Sequence, residues 1–289
     1  MLQGSFDRWI GAVLADDGID MPFMGGDEGA EATIITRSDG IVAGTAAIDY
    51  MLQIWAPSLK VTWWAGDGKR VSQGDEIATI SGDKEALLTM ERSIMNILGQ
   101  LSGIATEAKR WAAIAPGQIA CTRKTIWGLM DKWAVHLGGG LTHRLNRNDA
   151  RMIKENDLAS MLSEIEGHEN RIASFLQEVD ETTCGAFLEV EVRENREAII
   201  AAVIWAQRRE GGAKKLVVML DNFGPERCKE VADELSEMGL REHVILEASG
   251  GIKFEHLEAW HECGLDVLST SSINRDATPM DMSMLVTGA

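Results

Sequence analysis

The spacing of apolar residues divides the chain before any other feature is considered. In "KEALLTMERSIMNILGQLSGIAT" (84–106), Leu87, Met90, Ile94, Ile97, Leu98, Leu101 and Ile104 recur at intervals of three and four. That period lays one apolar stripe along a helix and predicts a long one. Upstream, "EATIITRSDGIVAGTAAIDYMLQIW" (31–55) reads as strand, turn, strand and helix. The stretch "KVTWWAGDGKRVSQGDEIATISGD" (60–83) alternates short β-prone runs with Gly-Asp turns, the pattern of hairpins.

Past residue 110 the rhythm changes. Short apolar runs occur at "MIK" (152–154), "AFLEVEV" (186–192), "KLVVML" (215–220), "HVILEA" (243–248) and "LDVLST" (265–270). Amphipathic segments such as "NREAIIAAVIWAQRRE" and "GPERCKEVADELSEMG" separate them. Strand and helix alternating every ~25–35 residues imply right-handed βαβ units on a parallel sheet. The expected fold class is therefore α/β. An α+β half over residues 1–110 precedes a parallel sheet from residue 111 on, either a barrel or doubly wound. No GxGxxG follows the first strand and no GxxxxGK[ST] occurs, which disfavours Rossmann and P-loop sites.

Composition narrows the function classes. The chain has 289 residues, 28 basic against 45 acidic, and a formal charge of −17. So acidic a surface argues against a nucleic-acid partner. No apolar run is long enough for a membrane span, and the N-terminus lacks the basic and apolar regions of a signal peptide. Cys121, Cys184, Cys228 and Cys263 form no CxxC pair and read as scattered thiols of a cytoplasmic protein. The nine tryptophans read as core and interface fillers.

One segment reverses the sign of the chain. Between Arg123 and Lys154 there are seven Lys/Arg and only two acids, Asp131 and Asp149, with a Gly138, Gly139, Gly140 run leading into His143 and Arg144. Such a cluster needs an anionic partner, and the glycines would let the backbone approach it closely. Polar residues also fall at or just past the predicted strand ends: Lys154, Glu191, Asp221 with Asn222, and Ser249 with Gly250 and Gly251. Each alone reads as a cap or turn residue. Four at one phase of successive βα units point to the catalytic face of a barrel.

Seven collinear stretches, "ERSIMNILGQLSGIAT", "CTRKT", "GGGLTHR", "MIKEND", "LEVEV", "LDNF" and "EASGGI", make the chain similar, over about residues 30–270, to the quinolinate phosphoribosyltransferases. That family is the carboxylating nicotinate-nucleotide pyrophosphorylase of NAD biosynthesis, working as a dimer or a hexamer of dimers. The resemblance implies a type II phosphoribosyltransferase fold: an N-terminal α+β open sandwich over residues 1–110, with 272–289 packed back on it, followed by an incomplete parallel α/β barrel over 111–271. The resemblance implies that Arg123, His143, Arg144 and Lys154, with Thr122, hold quinolinate, and that Lys124 faces phosphoribosyl pyrophosphate. Glu191 and Asp221 would hold Mg²⁺ and stabilise the ribose cation, with Glu189 in support. Ser249, Gly250 and Gly251, placed before a helix expected near Phe254, would seat the 5′-phosphate. Arg92 would reach into the partner subunit's site. His143 also admits a plainer reading, as a buried hydrogen-bonded histidine.

The chain departs from the family in three places. Asp157 stands where the family has histidine, Ser271 replaces a glycine of the phosphate loop, and "ADDGIDMPFMGGD" only loosely echoes the usual acidic opening. Two other functions stay open: an enzyme of the same fold acting on nicotinate or another anionic heterocycle, and a non-catalytic ligand-binding paralogue. Three cations favour a diacid, and the retained Glu191 and Asp221 disfavour mere anion binding.

Overall fold

The computed structural model describes residues 2–23, 25–26 and 28–287. Met24 and Asp27 of the acidic opening lie outside them. The chain forms two units, the first drawn from residues within 2–110, 124–140 and 273–287, the second from 111–123 and 141–272.

In the first unit, β1 (Gly29–Thr36), β3 (Lys60–Trp63) and β5 (Glu76–Asp83) join the C-terminal strand Met282–Thr287 in an antiparallel sheet, with β1 in the middle of the pairing. β2 (Gly40–Ile41) and β4 (Arg70–Val71) form a separate two-stranded ladder. β1 alternates as a one-sided strand should, burying Ala30, Ala32 and Ile34. The C-terminal strand pairs along its whole length, from Glu31 opposite Thr287 to Thr36 opposite Met282. Around these strands lie α1 (Leu2–Asp16), α2 (Thr45–Trp55), the long α3 (Lys84–Ile114) and α4 (Leu129–Leu137). All seven residues of the predicted α3 stripe are fully buried.

Helix α4 is where the structure departs from a single boundary near residue 110. It packs with the first unit: the Trp133 indole donates to Asp67 at 3.3 Å, and Gly138 lies against α3. A Cβ on Gly138 would collide with the Ala105 carbonyl and come within 2.7 Å of Ala108 Cβ. At Gly138, the close approach expected to serve a ligand therefore serves helix packing instead.

The second unit is built on six parallel strands in the order β6 (Ile119–Cys121), β11 (Val267–Thr270), β10 (Val244–Ser249), β9 (Leu216–Asp221), β8 (Leu188–Val192) and β7 (Arg151–Ile153). Between them run α5 (Glu155–Met161), α6 (His168–Glu178), α7 (Asn195–Glu210) and α8 (Pro225–Glu237). The sheet curls into a half-barrel. Register separates its two faces. Glu189 lies opposite Val217, Glu191 opposite Met219, Met219 opposite Glu247, and Ser249 opposite both Asp221 and Ser269. Parallel partners point the same way, so these residues share one face. The other face carries Val190, Val192, Val218, Leu220, Leu246, Ala248 and Leu268, all fully buried. Polar side chains are thus gathered on one side of an otherwise apolar sheet.

Candidate active site

The polar face of the half-barrel carries a graded set of charges. Deepest is Glu189 on β8, whose side chain is fully buried and whose two oxygens accept no hydrogen bond. Burial first, and then the neighbouring Glu247 carboxylate, push the Glu189 carboxyl well above its ordinary value, against the opposing pull of Arg144 and Lys154. Glu247 on β10 is almost as buried and accepts the His143 Nε2–H at 2.9 Å, while Glu189 lies 3.6 Å from the same nitrogen.

His143 adopts a left-handed backbone, φ 51°, uncommon for a residue with a Cβ. Its Nδ1 accepts the Arg144 backbone N–H at 2.8 Å. An amide always donates, so Nδ1 carries no proton and the ring proton sits on Nε2, facing Glu247. Both ring nitrogens are engaged within the protein, the ring is neutral in this tautomer, and Phe187 packs edge-on at 5.4 Å. The geometry is that of the buried hydrogen-bonded histidine. Three atoms of His143, Glu189 and Glu247 lie within 4.8 Å of one another, close enough to share a cation. The nitrogen that would ligate is the protonated one, so this tautomer does not offer it to a cation.

Arg144 follows on the chain, 7% exposed. Its guanidinium donates to the Ala150 carbonyl at 3.3 Å and touches Met152 sulfur at 3.2 Å. Among the described residues no carboxylate pairs with it. Burial, then Arg123 and Arg147, lower its pKa, and Glu189 and Asp157 only partly offset them. A buried guanidinium crowded by two others is relieved by an anion.

Further out, Lys154 at the start of α5 contacts the Glu191 carboxylate, and Arg193 lies 4.0 Å from the same residue. Asp157, in the histidine position of the family, accepts the Lys154 amide at 3.0 Å and so caps α5. Asp221 ends β9 and accepts the Asn222 side-chain amide at 3.0 Å through Oδ2.

Ser249, Gly250 and Gly251 follow β10. The expected helix near Phe254 is only a 3₁₀ turn, Phe254–His256, followed by the five-residue helix Leu257–His261. A helix that short has little dipole to offer, which corrects the phosphate seat expected from a helix N-terminus. What remains is the turn itself. Gly250 has φ 94°, and a Cβ there would collide with Asn222 Oδ1. Asn222 is itself left-handed, φ 60°, with its amide on the Ser249 carbonyl at 2.8 Å. The ends of β9 and β10 are thereby locked together.

Residues 104–285 match the description "Quinolinate phosphoribosyl transferase, C-terminal domain", and residues 20–102 match its N-terminal domain. The chain belongs to the quinolinate phosphoribosyl transferase family. That membership makes it a pentosyltransferase by class. Among similar proteins, the probable carboxylating nicotinate-nucleotide pyrophosphorylase of Methanothermobacter thermautotrophicus is 36% identical over 264 residues, covering 89% of this chain and 88% of that one. The Bacillus subtilis protein of the same name is 32% identical over 269 residues, covering 91% and 85%. The nicotinate-nucleotide pyrophosphorylase structure from Francisella tularensis superposes with a TM-score of 0.80 at 27% identity, over 98% and 97% of the two chains.

Of the residues the quinolinate phosphoribosyl transferase motifs single out, Thr122, Arg123, His143, Arg144, Lys154, Glu191, Asp221, Ser249, Gly250 and Gly251 fall in the second unit. Thr122 and Arg123 follow β6, with the Thr122 amide reaching the Thr270 carbonyl at 3.4 Å. Lys124 and Arg92 fall in the first unit. The Lys124 carbonyl accepts the Asn274 amide at 3.0 Å, and Arg92 is exposed on α3. Glu247 was not singled out from sequence. The signal was available: it lies two residues before Ser249 in "VILEAS", hence on the same face, as an acid inside an apolar strand. No described helix is long and apolar enough to cross a membrane.

Proposed function

We propose that this chain transfers the phosphoribosyl group of phosphoribosyl pyrophosphate to quinolinate, releasing pyrophosphate and CO₂ and giving nicotinate mononucleotide. The observation that carries this reading is Arg144, a buried guanidinium with no carboxylate partner among the described residues, crowded by Arg123 and Arg147. Such a site suits an acceptor with two adjacent carboxylates, held bidentately by arginine forks. Lys154 adds a further cation, and Lys124 meets the phosphates of the donor. In the reaction the C1–pyrophosphate bond breaks and the pyridine nitrogen forms the new bond to C1. The cationic ring then loses its 2-carboxylate as CO₂, and that carbon takes up a proton.

Glu191 and Asp221 end adjacent parallel strands on the polar face, and Asp221 keeps Oδ1 clear of the Asn222 contact. Hard oxygen donors of this kind fit Mg²⁺, which commonly takes one or two carboxylates and completes its shell with phosphate oxygens. Bound there, the ion would neutralise charge on the departing pyrophosphate. The two carboxylates also face the positive charge that develops on the ribose ring. The Gly250 turn offers backbone amides to the 5′-phosphate. Arg92 is assigned to the site of the partner in a homodimer.

The test is to incubate the protein with Mg²⁺, phosphoribosyl pyrophosphate and either quinolinate or nicotinate, following CO₂ and mononucleotide. Equimolar CO₂ and mononucleotide with quinolinate, and little product with nicotinate, are expected. Product with nicotinate alone would move the assignment to the monoacid, and no product with either would favour a binding protein.

A further inference from the structure

Glu247 is an acid in the middle of the sheet, 2% exposed, where an ionisable group is costly unless it has a task. Its carboxylate accepts the His143 Nε2–H at 2.9 Å. The other nitrogen of that ring takes the Arg144 amide. Three consecutive links therefore run from β10 to the arginine: carboxylate to ring, ring to backbone amide, and backbone to guanidinium. His143 sits in a left-handed conformation, which persists only where its surroundings over-determine it. The Glu247 bond and the edge-on Phe187 ring are what hold it.

We propose that Glu247 is a positioning residue: by taking the Nε2 proton of His143 it fixes the ring and the left-handed turn, and so aims Arg144 at the anionic acceptor. His143 then contributes through its backbone and orientation, with no charge of its own. This rests on the quinolinate reading for the identity of the anion, while the link from Glu247 to His143 stands apart from it.

Three variants separate the hydrogen bond from the charge. Glu247→Gln keeps an oxygen at the same reach to accept the Nε2–H. Glu247→Asp keeps the charge but withdraws it by one methylene, and Glu247→Ala removes both. Quinolinate binding by calorimetry is expected to weaken about tenfold in the Asp and Ala variants, and the Gln variant to stay close to wild type. Turnover at saturating substrate should change little in all three, since the chemistry is left in place. In ¹⁵N spectra of the imidazole, His143 should show an unprotonated Nδ1 and protonated Nε2 in wild type and Gln, and averaged nitrogens in Asp and Ala. If Glu247→Ala does not fold, the Asp variant carries the comparison. Asp and Ala variants that bind quinolinate as tightly as wild type, or a His143 signature unchanged across the series, would overturn the proposal. Wild-type protein that binds no quinolinate would sink the substrate reading, leaving the His143 nitrogens to decide the positioning role.

Discussion

Lys154 and Glu191 touch each other, yet the proposed reaction gives them different partners, one the acceptor's carboxylate and the other the donor's metal and ribose. Their variants should therefore fail differently. Lys154→Ala removes a charge-assisted contact worth about 1.5–3 kcal/mol and should raise the quinolinate dissociation constant at least tenfold by calorimetry. Arg151→Ala is the control: its guanidinium lies 5.2 Å over the Phe175 ring, and quinolinate affinity should hardly move. Glu191→Gln should lower kcat much more than quinolinate affinity, because it acts on charge that appears only in the transition state. Near-normal kcat with a raised quinolinate KM would reverse that assignment. The strand-end positions of Lys154, Glu191, Asp221 and Ser249 were legible from residues alone, since charged and polar side chains there interrupt apolar runs. Glu247 and the engaged ring of His143 were harder to see. An acid inside a strand gives away its face but not the partner waiting across the sheet.

The elements that carry these residues depend on local caps as much as on the sheet. Helix α7 follows the β8 strand end, and its first turn is closed by Glu197, which accepts the Arg193 and Glu194 amides at 2.8 and 3.2 Å and pairs with His168 at 2.8 Å. Burial alone would raise the Glu197 carboxyl. The His168 ring and the two amides outweigh it and hold it below the ordinary 4.5. A depressed carboxyl stabilises the fold fully above that ordinary value and loses its contribution as pH falls through the lower folded one. Glu197→Ala should therefore cost about 1–3 kcal/mol at neutral pH and less as the pH drops below 4, a convergence measurable by urea denaturation at both pH values. Equal losses at both would mean packing, not ionisation, carries the effect. Periodicity made α3 and the parallel strands readable in advance. It could not place α4, whose allegiance is set by Gly138 meeting α3 and by Trp133 reaching Asp67, contacts made across long sequence separations.

At the scale of the whole molecule, Arg92 poses the sharpest question. It is exposed on α3 in the first unit, whereas most of the proposed site belongs to the second. If it completes the partner's site, Arg92→Ala and Lys154→Ala proteins, each impaired alone when quinolinate is far below its weakened dissociation constant, should regain activity when their subunits are exchanged. One site in each mixed dimer would then have both residues intact. Exchange proved by mass without recovered activity would place Arg92 outside the site. A surface pairing with a helix acid, worth under about 1 kcal/mol, would then be its whole contribution.

The strand Met282–Thr287 lies along β1 at the edge of the first unit's sheet, yet it is made after every strand of the second unit. β1 shows an open edge until that strand docks, with residues 31–36 paired to partners about 250 positions later. Unpaired edges recruit other chains, and contacts so distant in sequence close slowly. Folding of this protein therefore has a vulnerable interval that ends only when Met282–Thr287 pairs with β1. Protein shortened to residue 280 should partition into the insoluble fraction during expression, and adding a peptide of residues 281–287 during refolding should recover soluble material. A shortened chain as soluble as the full one would show that β1 needs no late partner.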